Sequence, residues 1–182
     1  VSDEETALKI VDELKAADYS VLKLTKKETR RKSAPPFTTS TMQQEASRKI
    51  NFTSRRTMIA AQQLYEMGYI SYMRTDSLRI SEVAQKEARE FIAAQYGTEF
   101  IPAKPKQYRA KKSAQDAHEA IRPTSSVSTP EKLKSKLKPD LYKLYRLIWL
   151  RFMSSQMSDA FLDMLSADIS TGKYLVKASG SE

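Results

Sequence analysis

Lys26-Lys27-Glu28-Thr29-Arg30-Arg31-Lys32-Ser33-Ala34-Pro35-Pro36 divides this sequence into two kinds of pattern. Proline has a fixed φ and no N–H, so a proline pair stops both a helix and a central strand. We therefore place a domain boundary after Ser33 and read the basic run ahead of it as the approach to that boundary. Upstream, Tyr19 to Thr25 reads as a strand. Before it, Ser2 and Glu5 form a capping-box pattern ahead of Ala7, Leu8, Ile10, Val11 and Leu14, which predicts an amphipathic helix ending near Ala17.

Downstream the period becomes helical. Helices are expected from Ser40 to Ile50, from Ser54 to Met67 with Gly68 as the stop, and from Ser81 to Tyr96 with Gly97 as the stop. Thr129-Pro130 and Lys138-Pro139 each set a proline at a helix start. After the second, Leu141, Leu144, Tyr145, Ile148, Trp149 and Phe152 form a broad apolar stripe that marks the main core helix. Residues 98–129 carry Pro102, Pro105 and Pro123 with little periodicity, and read as a long loop with one short helix around Ala114 to Ile121. Met164 to Ser170 and Lys173 to Ala178, joined at Thr171-Gly172, read as a β-hairpin. The expected fold is α+β, mainly α. A helical domain over 34–157 is inserted between two pieces of a β-containing domain, 1–33 and 158–182.

Composition narrows the function. There is no apolar run near the roughly 20 residues a membrane span requires, so no membrane partner is expected. The chain has no cysteine and one histidine, His118, which excludes disulfides, thiolate metal sites and a multi-histidine zinc site. Absence of cysteine favours an intracellular setting. Val1-Ser2-Asp3-Glu4-Glu5 has neither an initiator methionine nor a signal-peptide layout, as expected for a piece of a longer protein. The net charge of +9 is uneven: residues 100–155 hold 13 Lys and Arg against 4 Asp and Glu. Such concentrated positive charge suits a polyanion, because cations that neutralise phosphates release condensed counterions.

The stretch richest in chemistry is Glu66-Met67-Gly68-Tyr69-Ile70-Ser71-Tyr72-Met73-Arg74-Thr75-Asp76-Ser77. A phenol of pKa about 10 is only about 0.1% ionised at neutral pH, so a nucleophilic tyrosine needs a nearby cation or base. Arg74 stands two residues from Tyr72. Nine tyrosines occur in the chain, however, and most buried tyrosines serve packing with the hydroxyl at a wet edge, so this pattern alone does not single out Tyr72.

Residues 68–77 closely resemble the active-site signature of the bacterial type IA DNA topoisomerases. Two further stretches resemble that family in order and spacing. They are Pro36-Phe37-Thr38-Thr39-Ser40-Thr41-Met42-Gln43-Gln44-Glu45-Ala46 and Ser113-Ala114-Gln115-Asp116-Ala117-His118-Glu119-Ala120-Ile121-Arg122-Pro123-Thr124. Met73 after the tyrosine and Arg122 before Pro123 look more like the topoisomerase I branch than the topoisomerase III branch.

The resemblance implies that Tyr72 attacks a phosphodiester, displaces the 3′ hydroxyl and holds the 5′ phosphate as a phosphotyrosine while another strand passes. Religation is the reverse. Negative supercoiling drives the relaxation, so no ATP is needed, and no P-loop pattern is found. By the same resemblance Arg74 holds the scissile phosphate and His118 donates a hydrogen bond or helps a proton move. Gln62, Glu66, Thr75 and Asp76 lie near the bound strand or the interface with a metal-binding domain. Arg122 either contacts DNA or braces the loop bearing His118. Ser71 departs from the threonine common in the family but keeps a hydroxyl.

The β-containing pieces then correspond to a gate domain. No metal site or cofactor is expected within this sequence, because no acidic cluster resembles the family's Toprim domain. Asp159, Asp163 and Asp168 read as surface residues. Mg2+ is expected in the intact enzyme, with the Toprim and remaining domains as partners in the same chain. Single-stranded and negatively supercoiled DNA are the expected substrates, in the bacterial cytoplasm at the nucleoid. A non-catalytic helix-turn-helix-like DNA-binding module is the alternative. A tyrosine recombinase fits less well, because Tyr72 precedes His118 and Arg122 here.

Overall fold

The computed structural model describes residues 3–108 and 118–182, and the fold is α+β. The chain forms two compact units, 1–31 with 160–182, and 32–159.

The first unit carries helix α1 (Glu4–Lys15) and a three-stranded antiparallel sheet of β1 (Ser20–Arg31), β2 (Ala160–Ser170) and β3 (Leu175–Ser181), in the order β1-β2-β3. Asp3 caps α1, its carboxylate accepting from the Thr6 N–H at 2.8 Å, and the helix ends at Lys15 rather than near Ala17. The expected cap Ser2 lies outside the described residues. The larger correction concerns the basic run. Lys26 to Arg31 is the second half of β1, paired residue for residue with β2 from Lys26↔Leu165 to Arg31↔Ala160. Every residue of β1 is exposed, so the charged side chains stay solvated and Lys26 reaches Asp163 at 3.6 Å. β2 likewise begins earlier than its apolar pattern suggested. The β2–β3 turn closes with Gly172 at φ +80 and the Thr171 N–H on the Tyr174 carbonyl at 3.0 Å.

The second unit holds α2 (Thr39–Ile50), α3 (Ser54–Glu66), α4 (Glu82–Tyr96), α5 (Pro130–Leu133) and α6 (Pro139–Gln156). α6 is its axis and packs against the other four. Leu141, Leu144, Tyr145, Ile148, Trp149 and Phe152 are buried, as the stripe requires, and each contributes about 1.5–3 kcal/mol by leaving water. The polar tips of the two largest aromatics bind the loop before α5: the Trp149 indole N–H donates to the Ser126 carbonyl and the Tyr145 hydroxyl to that of Ser128. Ala60, Ala61, Ala84 and Ala88 are buried on α3 and α4, where small side chains permit close packing.

The short helix expected around Ala114 to Ile121 lies outside the described residues except for its last four, which are not helical. There the Ala120 and Ile121 N–H groups donate to the Arg79 and Phe37 carbonyls at 2.8 Å, leaving no donor for a helical turn. Asp159 is also not a surface residue. Its side chain is 5% exposed and meets the Lys106 ammonium at 2.6 Å, and the same nitrogen donates to the Ser33 hydroxyl at 2.7 Å. The apolar patterns give no sign of this pair.

Candidate active site

α3 ends in a Schellman turn: Gly68 at φ +74 donates its N–H to the Tyr65 carbonyl, and the Tyr69 N–H reaches back to Leu64, both at 2.9 Å. The chain leaves the turn into a segment whose burial alternates. Ile70, Met73, Thr75 and Ser77 are buried, while Tyr72, Arg74 and Asp76 are exposed. The apolar and small residues are thus drawn into the core, and the phenol, guanidinium and carboxylate are left in solvent.

Two chain-distant stretches clamp this segment. From one side, Thr39 in the first turn of α2 donates its N–H to the Thr75 carbonyl and its hydroxyl to the Met73 carbonyl, at 2.9 and 2.7 Å. The same hydroxyl accepts from the Thr75 N–H at 2.9 Å. The backbone on both sides of Arg74 is therefore fixed by one side chain. From the other side, residues 120–124 pair with 68–71. The Ser71 N–H donates to the Arg122 carbonyl and the Thr124 N–H to the Tyr69 carbonyl, at 2.9 and 3.0 Å. The Ser71 hydroxyl donates to the Ala120 carbonyl at 2.8 Å and accepts from the Arg122 N–H at 2.9 Å. Either a serine or a threonine hydroxyl beside Tyr72 could supply these two bonds.

The pairing carries His118 to the tyrosine, with ring centroids 6.2 Å apart and planes tilted by 32°. Tyr65, from the last turn of α3, meets Tyr72 edge to face at 5.3 Å and 67°. Tyr72 is 39% exposed. Its hydroxyl, the Arg74 guanidinium and the Asp76 carboxylate make no hydrogen bond or ion pair with the described residues. Those groups remain available to an incoming molecule.

The other candidate residues are differently engaged. Gln62 donates to the Glu66 carboxylate at 2.7 Å, one helical turn on. Thr75 is buried, and its hydroxyl accepts from the Ser77 N–H at 3.0 Å. The Arg122 guanidinium meets Glu119 at 2.7 Å and also donates to the Pro123 carbonyl. Glu119 in turn accepts from the Ser81 N–H at 2.7 Å. Burial pushes the Glu119 carboxyl up, but the hydrogen bond from Ser81 and the charge of Arg122 outweigh it, and the net pKa lies below the usual carboxylate value. Thr39 and Tyr65 were not singled out by the sequence. Thr39 lies within a motif that resembles the family, and nothing local to Tyr65 announces a contact with a residue seven positions on. Among the described residues, no group of three or more His, Cys, Asp or Glu side chains is placed to hold a metal ion.

Among the described residues, an exposed phenol stands beside an imidazole with an unpartnered guanidinium two residues away, a set chemically able to attack a phosphate ester. The sequence model of the DNA topoisomerase family matches residues 1–182. All of the chain aligns with a quarter of DNA topoisomerase 1 from Rickettsia prowazekii (strain Madrid E) at 43% identity, and with a quarter of its counterpart from Rickettsia felis at 42%. Among solved structures, full-length topoisomerase I from Thermotoga maritima superposes with a TM-score of 0.83 at 37% identity, over 99% of this chain and 30% of that one. The chain belongs to the bacterial type IA DNA topoisomerases. It spans about a quarter of the length of the relatives it matches.

Proposed function

We propose that this chain is the tyrosine-bearing part of a longer enzyme that changes DNA topology by cutting and resealing one strand. The Tyr72 Oη attacks the scissile phosphorus, the 3′ oxygen leaves as a hydroxyl, and the 5′ phosphate stays on the tyrosine. Return of the 3′ hydroxyl restores the strand. One phosphodiester replaces another, so ATP is not consumed, and negative supercoiling supplies the driving force for relaxation. The observation that carries this reading is the exposed Tyr72 ring beside His118, with its hydroxyl and the Arg74 guanidinium both without a partner among the described residues.

Arg74 is suited to hold the phosphate and oppose the charge that grows on it, because its guanidinium is always ionised and the Thr39 clamp fixes its backbone. His118 supplies a hydrogen bond or a proton path at the phosphate. Glu66, held by Gln62, and Asp76 are anionic and orient partner groups rather than contact phosphate. Thr75 acts through the loop it anchors. For Arg122, the ion pair with Glu119 favours bracing the His118 segment over contacting DNA. The catalytic Mg2+ belongs to acidic residues elsewhere in the longer enzyme. Residues 34–157 then act as the mobile tyrosine-bearing domain, flanked by the gate pieces 1–33 and 158–182. The setting of the reaction is the bacterial nucleoid, and no described helix is long and apolar enough to cross a membrane.

The test is covalent trapping. The full-length enzyme and its Tyr72→Phe variant are incubated with end-labelled single-stranded DNA and Mg2+, then denatured. Label is expected to migrate with the wild-type protein only. An adduct that survives in the variant would assign the chemistry to another residue, and no adduct in either protein would favour a non-catalytic DNA-binding module.

A further inference from the structure

α3 has its C-terminal end at Tyr72 and its N-terminal end in a second concavity. Arg56 and Asp140 form a two-pronged pair, both bonds 2.7 Å long, which locks the start of α3 to the start of α6. Beside this pair lies a hollow of about 500 Å³ lined by Arg55, Ile59, Gln63, Lys138 and Pro139. The pair neutralises itself, so Asp140 does not offset the remaining cations. Arg55 and Lys138 are exposed, and their side-chain cations make no hydrogen bond or ion pair with the described residues. Ile59, which lines the same hollow, is 51% exposed, whereas Thr57, Ala60, Ala61 and Leu64 on the other face of α3 are buried.

Two uncompensated cations over an apolar floor match a nucleic-acid backbone, in which anionic phosphates alternate with less polar sugars. The hollow is joined to the nucleophile by the exposed edge of α3, through Ile59 and Gln63 to Tyr65, whose ring touches Tyr72. Arg55 and Tyr65 are ten residues apart, so the rise of the helix separates them by about 15 Å. That is about four nucleotides at a stacked spacing of about 3.4 Å.

We propose that the hollow between the starts of α3 and α6 is a second phosphate-backbone site, gripping the strand that Tyr72 attacks about four nucleotides from the scissile bond. The proposal rests on the reading of Tyr72 given above. It assigns α3 the part of a ruler, which an acidic peptide bound in the same hollow would not need.

Binding to the full-length enzyme is measured against salt for wild type, Arg55→Ala, Lys138→Ala and a control, Lys134→Ala, an exposed lysine outside the hollow. The ligands are oligonucleotides whose 5′ or 3′ arm beyond a single cleavage site is shortened in steps. Removing either cation is expected to lower the slope of log K against log salt by about 0.7, only while one of the two arms exceeds about four nucleotides. The control keeps the wild-type slope. Equal losses at every arm length, or a loss in Lys134→Ala as large as in the others, would reduce the effect to bulk charge and overturn the proposal. Unchanged slopes in both variants would overturn it too. A wild-type enzyme that binds with the expected arm dependence but forms no adduct would instead remove the reading of Tyr72 and leave the backbone site standing.

Discussion

Replacing Lys106 by methionine removes the ammonium that lies 2.6 Å from Asp159 and 2.7 Å from the Ser33 hydroxyl while keeping most of the side-chain volume. The Lys106 and Asp159 side chains are 19% and 5% exposed, so water replaces little of what is lost. Breaking a buried pair from one side costs about 3–5 kcal/mol, because the remaining buried charge loses that ionic contact. We expect about 3 kcal/mol, since Lys106 itself retains some solvent. Trp149 is the sole tryptophan, is buried on α6, and therefore reports on the helical unit alone. Urea unfolding followed by its fluorescence should show this loss for Lys106→Met. The double variant Lys106→Met, Asp159→Asn should regain much of it, because the buried carboxylate charge is gone. A loss below about 1 kcal/mol for Lys106→Met would show that the pair behaves like an exposed one and would refute the reasoning.

Ser71→Ala deletes a hydroxyl with two hydrogen bonds and should destabilise the helical unit by about 1–3 kcal/mol, whereas Ser71→Thr should unfold close to wild type in the same urea titration. Glu119 makes a pH prediction. Its folded pKa lies below its unfolded value, so its contribution is present above about pH 4.5 and is lost as pH falls through the folded pKa. Glu119→Gln should flatten that acid limb of stability, and an unchanged limb would show that other carboxyls carry it. Loss of the edge-to-face contact in Tyr65→Ala should slow adduct formation by about 2- to 10-fold, with Tyr65→Phe near wild type, as read by rapid-quench cleavage at saturating DNA. Equal rates in all three proteins would leave Tyr65 no part in placing the nucleophile.

The parts of this molecule that were legible in its sequence are those where one local rule dominates. Gly68 and Gly97 stop helices because the chain turns there through positive φ, and Pro139 opens α6 because its missing N–H has no partner at a helix start. β1 was half legible. Val21 and Leu24 look like strand residues, but Lys26 to Arg31 are held in the sheet by backbone pairing with β2 rather than by any buried face, and charge patterns carry no record of such pairing. At the site, Tyr72 and Arg74 could be named as candidates from resemblance, not from local spacing alone. The clamp that fixes them could not, because Thr39, Ser71 and residues 120–124 act through hydrogen bonds between residues 34 to 55 positions apart. Asp159 was misread for the same reason: its partner is 53 residues away.

β1 and β2 are paired up to Arg31↔Ala160, and all of residues 32–159 lies between them. The helical unit thus occupies the position of a hairpin turn. Closing a flexible loop costs about 0.6 kcal/mol for each doubling of its length, so a disordered connection of this size would burden the hairpin by about 3 kcal/mol relative to a four-residue turn. Lys106 removes that burden once the helices have formed, because Ser33 and Asp159 both bond to its one nitrogen and their bonded oxygens lie within about 5 Å of each other. The order of folding follows. The sheet, which has no buried residue of its own among those described, gains its long-range pairing at low entropic cost only after the helical unit has assembled.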